Sequence, residues 1–338
     1  MRIPGQFTTL FDAQARAILG RGGKVVAAID QGTTSTRCIL FDRDGHRRGM
    51  SQMEHRQIMP RPGWVEHDAV EIWRNTRRVI ADVMAEEEWS AADVAALGIT
   101  NQRETTIVWD RATGEPVYNA IVWQDTRTDS MCRKLRDDIG EDRVRRITGL
   151  PVSTYFSGPK IAWILDNVEG ARDRAERGEL IFGTVDTWLT WNLTRRHGKA
   201  LHVTDVTNAS RTMLMNLETL EWDQSLCEAM GIPMSMLPAI VSSSQYLGVV
   251  RWQGPLHNVA IGGILGVPVT RPVITETTAL GAAYAAGLTV GFWESTDEIR
   301  AMWREDVTFT PDMDADRRDD LFANWGKAVT RTLDWVED

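Results

Sequence analysis

The chain has 338 residues, of which 43% are hydrophobic and 25% charged, and its formal net charge is −9. These proportions are ordinary for a globular protein, and the length suits two domains. The acidic balance argues against a nucleic-acid partner and against an anionic membrane surface, since both need a basic patch. No apolar run approaches the ~20 residues of a membrane-spanning helix.

Three widely separated cysteines favour reduced thiols and a cytoplasmic protein, because they show no Cys-x-x-Cys spacing. They are Cys38, Cys132 and Cys227. Residues 1–23 lack the continuous apolar core and small-residue cleavage site of a signal peptide. We interpret them as an N-terminal extension.

The first structured element is a hairpin. Short apolar runs at residues 25–29 and 38–41 flank the segment DQGTTS at 30–35. Runs of this length indicate buried strands, and the Gly-Thr-Thr between them indicates a tight tip. A plain turn is one interpretation of that tip.

Phosphate binding is the other interpretation of the tip. Glycine lets the backbone approach a phosphate closely, and the hydroxyl and N–H groups of Thr33, Thr34 and Ser35 can hold its oxygens. Asp30, at the strand end, is a candidate ligand for Mg²⁺. This is not a Walker loop, because the sequence contains no GxxxxGK[ST] motif.

Helices and strands alternate beyond the hairpin. Asp68 is a candidate N-cap for a helix that runs to about residue 85, and residues 95–100 have the composition of a strand. Further helices are predicted near 127–139, 159–167 and 186–193. A strand signal returns at 267–269, and the small apolar residues of 277–289 predict a closely packed helix. This order indicates an α/β domain.

Two further groups of residues suit a small polyol. Arg103 and Glu104 follow the strand at 95–100, and side by side they donate to and accept from vicinal hydroxyls. Trp123 and Tyr155 can cover the carbons of such a molecule. The alternatives are a surface ion pair for the first group and core packing for the second.

Taken together, these segments resemble the FGGY carbohydrate kinases, and the glycerol kinases in particular. The resemblance lies in AIDQGTTSTR, PGWVEHD, GITNQRETTIVWD, NAIVWQDTRT, YFSGPKIAWILDN and TDVTNASRTMLMN. It implies an N-terminal domain of ribonuclease H-like fold (the actin/hexokinase/Hsp70 group) and a cytoplasmic enzyme that converts glycerol and ATP to sn-glycerol 3-phosphate.

The resemblance also implies roles for individual residues. Arg103, Glu104, Trp123 and Tyr155 would bind glycerol. Thr33, Thr34, Ser35 and Arg37 would face the phosphates of ATP, and Asp30 would face Mg²⁺.

The resemblance breaks after residue 248. We predict a glycerol-binding domain at 24–248, an unmatched joint at 249–263 and, at 264–338, a remnant of a largely deleted second domain of the same type. The family's Gly-Asp-Gln-Gln strand end, which carries the catalytic base, is missing, as are its phosphate and adenosine loops. No catalytic residue is therefore identified, and neither Asp125 nor Asp186 is expected to replace the base.

Loss of these segments predicts weak or absent turnover, because phosphoryl transfer depends on positioning of the nucleotide. The alternatives are a polyol-binding module without catalysis, a degraded gene product, or a kinase for another sugar. The remnant at 264–338 is expected to expose apolar side chains that have no core to cover them, which favours self-association into a homo-oligomer.

Overall fold

The computed structural model describes residues 23–86, 88–195, 199–257, 259–264, 277–302 and 315–332. The strands in these ranges are β1 (Val25–Gln31), β2 (Ser35–Phe41), β3 (Arg47–Glu54), β4 (Glu66–His67), β5 (Val94–Asn101), β6 (Ile107–Asp110), β7 (Ala120–Ile121), β8 (Leu180–Gly183), β9 (Val203–Asp205), β10 (Met215–Asn216), β11 (Glu221–Trp222), β12 (Ala239–Val241), β13 (Tyr246–Val249) and β14 (Ala260–Ile264). The helices are α1 (Ala69–Glu86), α2 (Asp129–Ile139), α3 (Glu141–Thr148), α4 (Ser157–Asn167), α5 (Ala171–Glu176), α6 (Val185–Thr194), α7 (Val206–Ala209), α8 (Gln224–Ala229), α9 (Thr277–Val290), α10 (Thr296–Met302) and α11 (Ala315–Thr332).

A six-stranded sheet in the order β13-β14-β5-β1-β2-β3 forms the centre of the fold. The pairs β1–β2 and β2–β3 are antiparallel, whereas β1–β5 and β5–β14 are parallel. Parallel neighbours end at the same edge of a sheet. The carboxyl ends of β1 and β5 therefore lie side by side, with Asp30 opposite Thr100 and Gln31 opposite Asn101.

Both faces of this sheet are covered. Alternate residues of β1, such as Val25, Ala27 and Ile29, belong to a core that includes α1. The intervening residues of β1 pack in a second core with α9. Burial on both faces explains why β1 is apolar at successive positions from Val25 to Ile29 rather than at every second one.

A third apolar core lies between the small sheets and the helices that follow β6. Its hydrophobic residues come from segments between Val108 and Leu237. The antiparallel pair β6–β8 contributes Val108 to this core and Trp109 to the core under α1. This pair therefore joins the two layers of the domain.

Helix α9 packs on the central sheet, although the sequence predicts little partner surface for the region after residue 264. It contacts β1, β5 and β14. Trp293, just after it, is fully buried and donates from Nε1 to the carbonyl oxygen of Arg43 at 2.7 Å. The expectation of uncovered apolar faces is therefore wrong for this part of the chain. In α11, by contrast, an apolar side chain is uncovered as expected, since Trp325 is 67% exposed.

Most predicted elements are present with shifted ends. Asp68 caps α1, since its Oδ1 accepts from the N–H groups of Val70 at 2.8 Å and Glu71 at 3.2 Å. Residues 249–263, expected as a joint without clear periodicity, contain a turn and most of β14. The strand signal at 267–269 and most of the predicted extension at 1–23 lie outside the described residues.

Candidate active site

The Gly-Thr-Thr tip closes as a tight turn between β1 and β2. The N–H of Gly32 donates to the carbonyl oxygen of Ser35 at 2.9 Å. Two residues after β3 hold the tip from one side: Gln57 Nε2 donates to the carbonyl oxygen of Thr33 at 3.0 Å, and the N–H of His55 donates to that of Thr34 at 3.2 Å. Thr33 is half-buried and Thr34 exposed. The tip is thus held by its carbonyl groups.

The predicted phosphate residues differ in their surroundings. Ser35 is buried, and its hydroxyl accepts a hydrogen bond from Gln52 Nε2 at 3.0 Å. Arg37 lies opposite Asp30 in the β1–β2 pair, with 3.5 Å between its Nη1 and Asp30 Oδ2. Both side chains are partly exposed. This end of the hairpin therefore combines hydroxyl groups with one carboxylate and one guanidinium.

A carboxylate oxygen is the type of ligand that Mg²⁺ prefers, so Asp30 fits the predicted metal role. Asp30 does not belong to a group of three or more acidic or histidine side chains within the described part of the chain. Mg²⁺ bound here would need most of its ligands from water and from nucleotide phosphates, which is its usual behaviour.

Gln102 joins the ends of β1 and β5. Its N–H donates to the carbonyl oxygen of Gln31 at 2.9 Å, and its Nε2 donates to Gln31 Oε1 at 3.0 Å. Thr105 Oγ1 in turn donates to Gln102 Oε1 at 2.8 Å. The segment that carries Arg103 and Glu104 is therefore locked against the hairpin.

Glu104 is buried, and its charge is balanced by Arg211, which the sequence analysis did not single out. Arg211 Nε donates to Glu104 Oε1 at 2.7 Å. Ser157 Oγ, at the start of α4, donates to the Glu104 carbonyl oxygen at 3.1 Å. Arg103 is half-buried and makes no hydrogen bond or ion pair within the described ranges. Its guanidinium is thus available to a ligand.

Trp123 links the predicted polyol residues to the tip. Its Nε1 donates to Thr33 Oγ1 at 2.9 Å, and its ring centroid lies 5.2 Å from that of Tyr155. Two residues predicted to bind the polyol therefore adjoin a residue predicted to face phosphate. Transfer of a phosphoryl group to a bound hydroxyl requires that the two ligands lie close together, so we treat this corner as the candidate site.

The turn that carries Tyr155 is fixed from within by Lys160. This fully buried ammonium donates to the carbonyl oxygens of Thr154, Tyr155 and Phe156 at 2.7, 2.6 and 3.1 Å. Burial lowers the pKa of Lys160 to about 7. The three hydrogen bonds act in the opposite direction, because they use every N–H of the charged form.

The two carboxylates considered as replacement bases are both occupied. Asp125 is buried, accepts from the N–H of Val65 and pairs with Arg127 at 2.8 Å. Asp186 is buried and accepts from the hydroxyls of Thr184 and Thr204. Burial, together with neighbouring Asp205, raises the pKa of Asp186 to about 7. Both carboxylates are thus engaged by other groups of the protein, and that neither serves as the base stays a prediction.

The N-terminal domain of the FGGY family of carbohydrate kinases matches residues 25–274. The chain belongs to this family. Glycerol kinase 2 of Streptomyces coelicolor is 36% identical over 503 aligned positions, covering 94% of this chain and 98% of that protein. The glycerol kinase of Chloroflexus aurantiacus is 38% identical over 496 positions, covering 93% of this chain and 100% of that protein. By family, the chain is a carbohydrate kinase, as predicted.

Solved FGGY structures confirm the predicted fold of the actin/hexokinase/Hsp70 group. The Plasmodium falciparum glycerol kinase with ADP matches with a TM-score of 0.80 at 23% identity, covering 93% of this chain and 99% of that chain. A gluconate kinase from Lactobacillus acidophilus matches with a TM-score of 0.63 at 23% identity, covering 71% of this chain and 48% of that chain. At such identities the likeness concerns the fold alone.

This FGGY chain is internally shorter than its relatives. The 503-position alignment with the S. coelicolor protein, against 338 residues here, leaves at least 165 positions of the relative without a counterpart. These positions lie within an alignment that covers 98% of the relative. The family match includes residues 249–263, and the site of the deletion stays a prediction. No helix in the described ranges is both long and apolar enough to cross a membrane.

Proposed function

We propose that this chain binds glycerol between Arg103–Glu104 and the Trp123–Tyr155 pair, and that with ATP it forms sn-glycerol 3-phosphate slowly. The hydrogen bond from Trp123 Nε1 to Thr33 Oγ1 is the observation that carries this proposal. It joins a residue expected to cover the polyol carbons to one expected to face the phosphates of ATP. The glycerol kinases among the relatives supply the substrate class.

The polar groups suit vicinal hydroxyls. Glu104 Oε1 is engaged by Arg211, whereas Oε2 makes no hydrogen bond among the described residues and can accept one from a ligand. Arg103 offers donors with no protein partner in those ranges. One acceptor and one donor group on the same turn match two neighbouring hydroxyls, each of which both donates and accepts.

ATP and Mg²⁺ belong to this proposal as co-substrate and counter-ion. Thr33, Thr34, Ser35 and Arg37 would receive the phosphates, and Asp30 would hold the ion through its carboxylate or through water. The buried, unpaired thiols Cys38, Cys132 and Cys227 support a cytoplasmic location, where cysteines stay reduced.

A low rate follows from the missing positions. The Gly-Asp-Gln-Gln segment expected to carry the family's catalytic base is missing from the sequence, and a general base contributes about 10²–10⁴-fold. Loss of nucleotide-binding segments would reduce the rate further, because the reacting groups are then less well positioned. A glycerol-binding module without turnover is the second candidate, and the same missing positions favour it.

Calorimetry and a rate assay on the full chain test both candidates. We expect glycerol to bind, and Glu104→Gln to weaken binding by about tenfold or more, since it removes the charged acceptor. Glu218→Gln, the same change on an exposed side chain, is the control. ATP-dependent formation of sn-glycerol 3-phosphate above the blank supports the slow kinase, and binding without product supports the module.

Two outcomes would contradict the substrate assignment. One is the absence of heat and of any thermal shift at millimolar glycerol. The other is tighter binding of xylulose or gluconate than of glycerol, which would favour a kinase for a different sugar.

A further inference from the structure

We infer that Arg211 is a positioning residue of the glycerol pocket, which sets Glu104 and Tyr155 in one arrangement. The inference rests on the proposed function, because it concerns the same pocket. Arg211 follows α7, 107 positions along the chain from Glu104. It lies in the segment TDVTNASRTMLMN, which resembles the family but does not by itself reveal Glu104 as the partner.

The polar contact of Arg211 selects one oxygen of Glu104. Its Nε donates to Oε1 at 2.7 Å, and the Glu104 side chain is 5% exposed. A buried carboxylate needs a compensating charge, and no other cation forms an ion pair with Glu104 within the described ranges. With Oε1 taken, Oε2 is the oxygen left for a hydroxyl of the ligand.

The same guanidinium also lies near the aromatic wall of the pocket, which consists of Tyr155 and Phe156. Its central carbon lies 4.9 Å from the ring centroid of Phe156 and 5.5 Å from that of Tyr155. Contacts at these distances are favourable when the cation is partly desolvated, and the Arg211 side chain is 26% exposed. One cation thus contacts both the polar and the aromatic side of the pocket.

The aromatic wall is a fixed surface for this contact because Lys160 holds its backbone. The carbonyl oxygens of Tyr155 and Phe156 accept from Lys160 Nζ at 2.6 and 3.1 Å. The backbones of Glu104 and Tyr155 are held by Ser157 and Lys160 of the same helix, whereas Arg211 contacts the two side chains. Removal of Arg211 should loosen their mutual orientation without removing either ligand group.

A double-mutant cycle on glycerol binding tests this role. Arg211→Met should weaken binding by about 10- to 100-fold, the range for hydrogen bonds to charged groups. Because Arg211 acts through Glu104, the Arg211→Met/Glu104→Gln double variant should bind about as weakly as the weaker single variant. The double variant leaves no buried unpaired charge, so we expect it to fold even if Arg211→Met alone does not.

Two further variants separate positioning from general stability. Arg211→Lys keeps the charge but loses the planar fork, and we expect it to restore only part of the affinity. Arg195→Met is the control, since Arg195 also lies on an aromatic ring, 4.6 Å from the Trp191 centroid, and donates to a carbonyl oxygen. It should leave glycerol affinity unchanged.

The outcomes distinguish the inference from the proposed function. If the wild-type protein does not bind glycerol, both fail. If the wild type binds and Arg211→Met stays within about twofold of it, or if the two substitutions are additive, the positioning role fails while the proposed function stands. Partial rescue by Arg211→Lys together with non-additivity supports the role.

Discussion

Gly98 in β5 lies against the backbone of helix α9. A Cβ atom at this position would lie 2.2 Å from the carbonyl oxygen of Ala282 and 2.7 Å from its carbonyl carbon. Both are backbone atoms, so no side-chain rotation relieves the contact. Gly98→Ala should therefore push the helix away from the sheet.

The distance by which α9 must move determines how much folding stability Gly98→Ala loses. Ordinary contacts at such positions begin at 3.4 Å, so the helix must move by about 1 Å in a close-packed interior. Four alanines of α9 with no solvent exposure share the interface: Ala279, Ala282, Ala283 and Ala286. Overpacking of this kind costs about 1–3 kcal/mol, and we expect the upper part of that range because the whole helix must shift.

Urea unfolding followed by circular dichroism and tryptophan fluorescence measures this effect. Trp293 is buried in the same core, so its emission should shift to longer wavelength in native Gly98→Ala protein. Gly326→Ala in α11 is the matched control, because its added Cβ meets nothing within 4 Å. Adding Ala282→Gly to Gly98→Ala should not restore stability, since the conflict is with the backbone of residue 282.

An unfolding midpoint unchanged by Gly98→Ala would refute this reasoning. It would mean that α9 does not pack against β5 as described, and that the region after residue 264 lacks the partner surface attributed to it here. Full rescue by Ala282→Gly would likewise contradict a backbone contact.

Two further predictions concern charge and association. In the folded state the pKa of Asp186 is raised to about 7, whereas in the unfolded state it is near 3.9. Between these two pH values the folded state keeps the carboxyl proton and the unfolded state loses it. Stability from this group therefore falls as pH rises from about 4 to about 7; Asp186→Asn should remove that slope from urea midpoints, and an unchanged slope would contradict the assignment. In α11, Phe322 is 76% and Trp325 67% exposed. Replacing both with serine should reduce self-association in sedimentation velocity, whereas equal association of both proteins would exclude this surface.

Local signals explain the elements that could be predicted. The cap at Asp68 acts on neighbouring residues of the chain, and the apolar runs of β1 and β2 and the small residues of α9 are continuous in sequence. Such patterns can be recognised without knowledge of the packing partner. The strand β14 was not predicted, because its place between β5 and β13 depends on pairing with residues far away in the chain.

The candidate site shows the same division. The residues of the hairpin and of the segment at 101–104 are evident from their chemistry and from the family resemblance. The residues that hold them in place are not evident from the sequence. Gln102 forms a hydrogen bond with Gln31, 71 positions away, and Arg211 forms one with Glu104, 107 positions away. A glutamine or an arginine has no local pattern that reveals such a partner.

The sequence by itself determined the family, the α/β class and the residue types of the pocket, because these depend on local pattern and motif. Only the tertiary structure decided that α9 and Trp293 are covered by the N-terminal sheet. It also decided that Arg211 balances the charge of Glu104. Burial and charge compensation are properties of the packed chain, since they depend on which distant segments exclude water from a side chain.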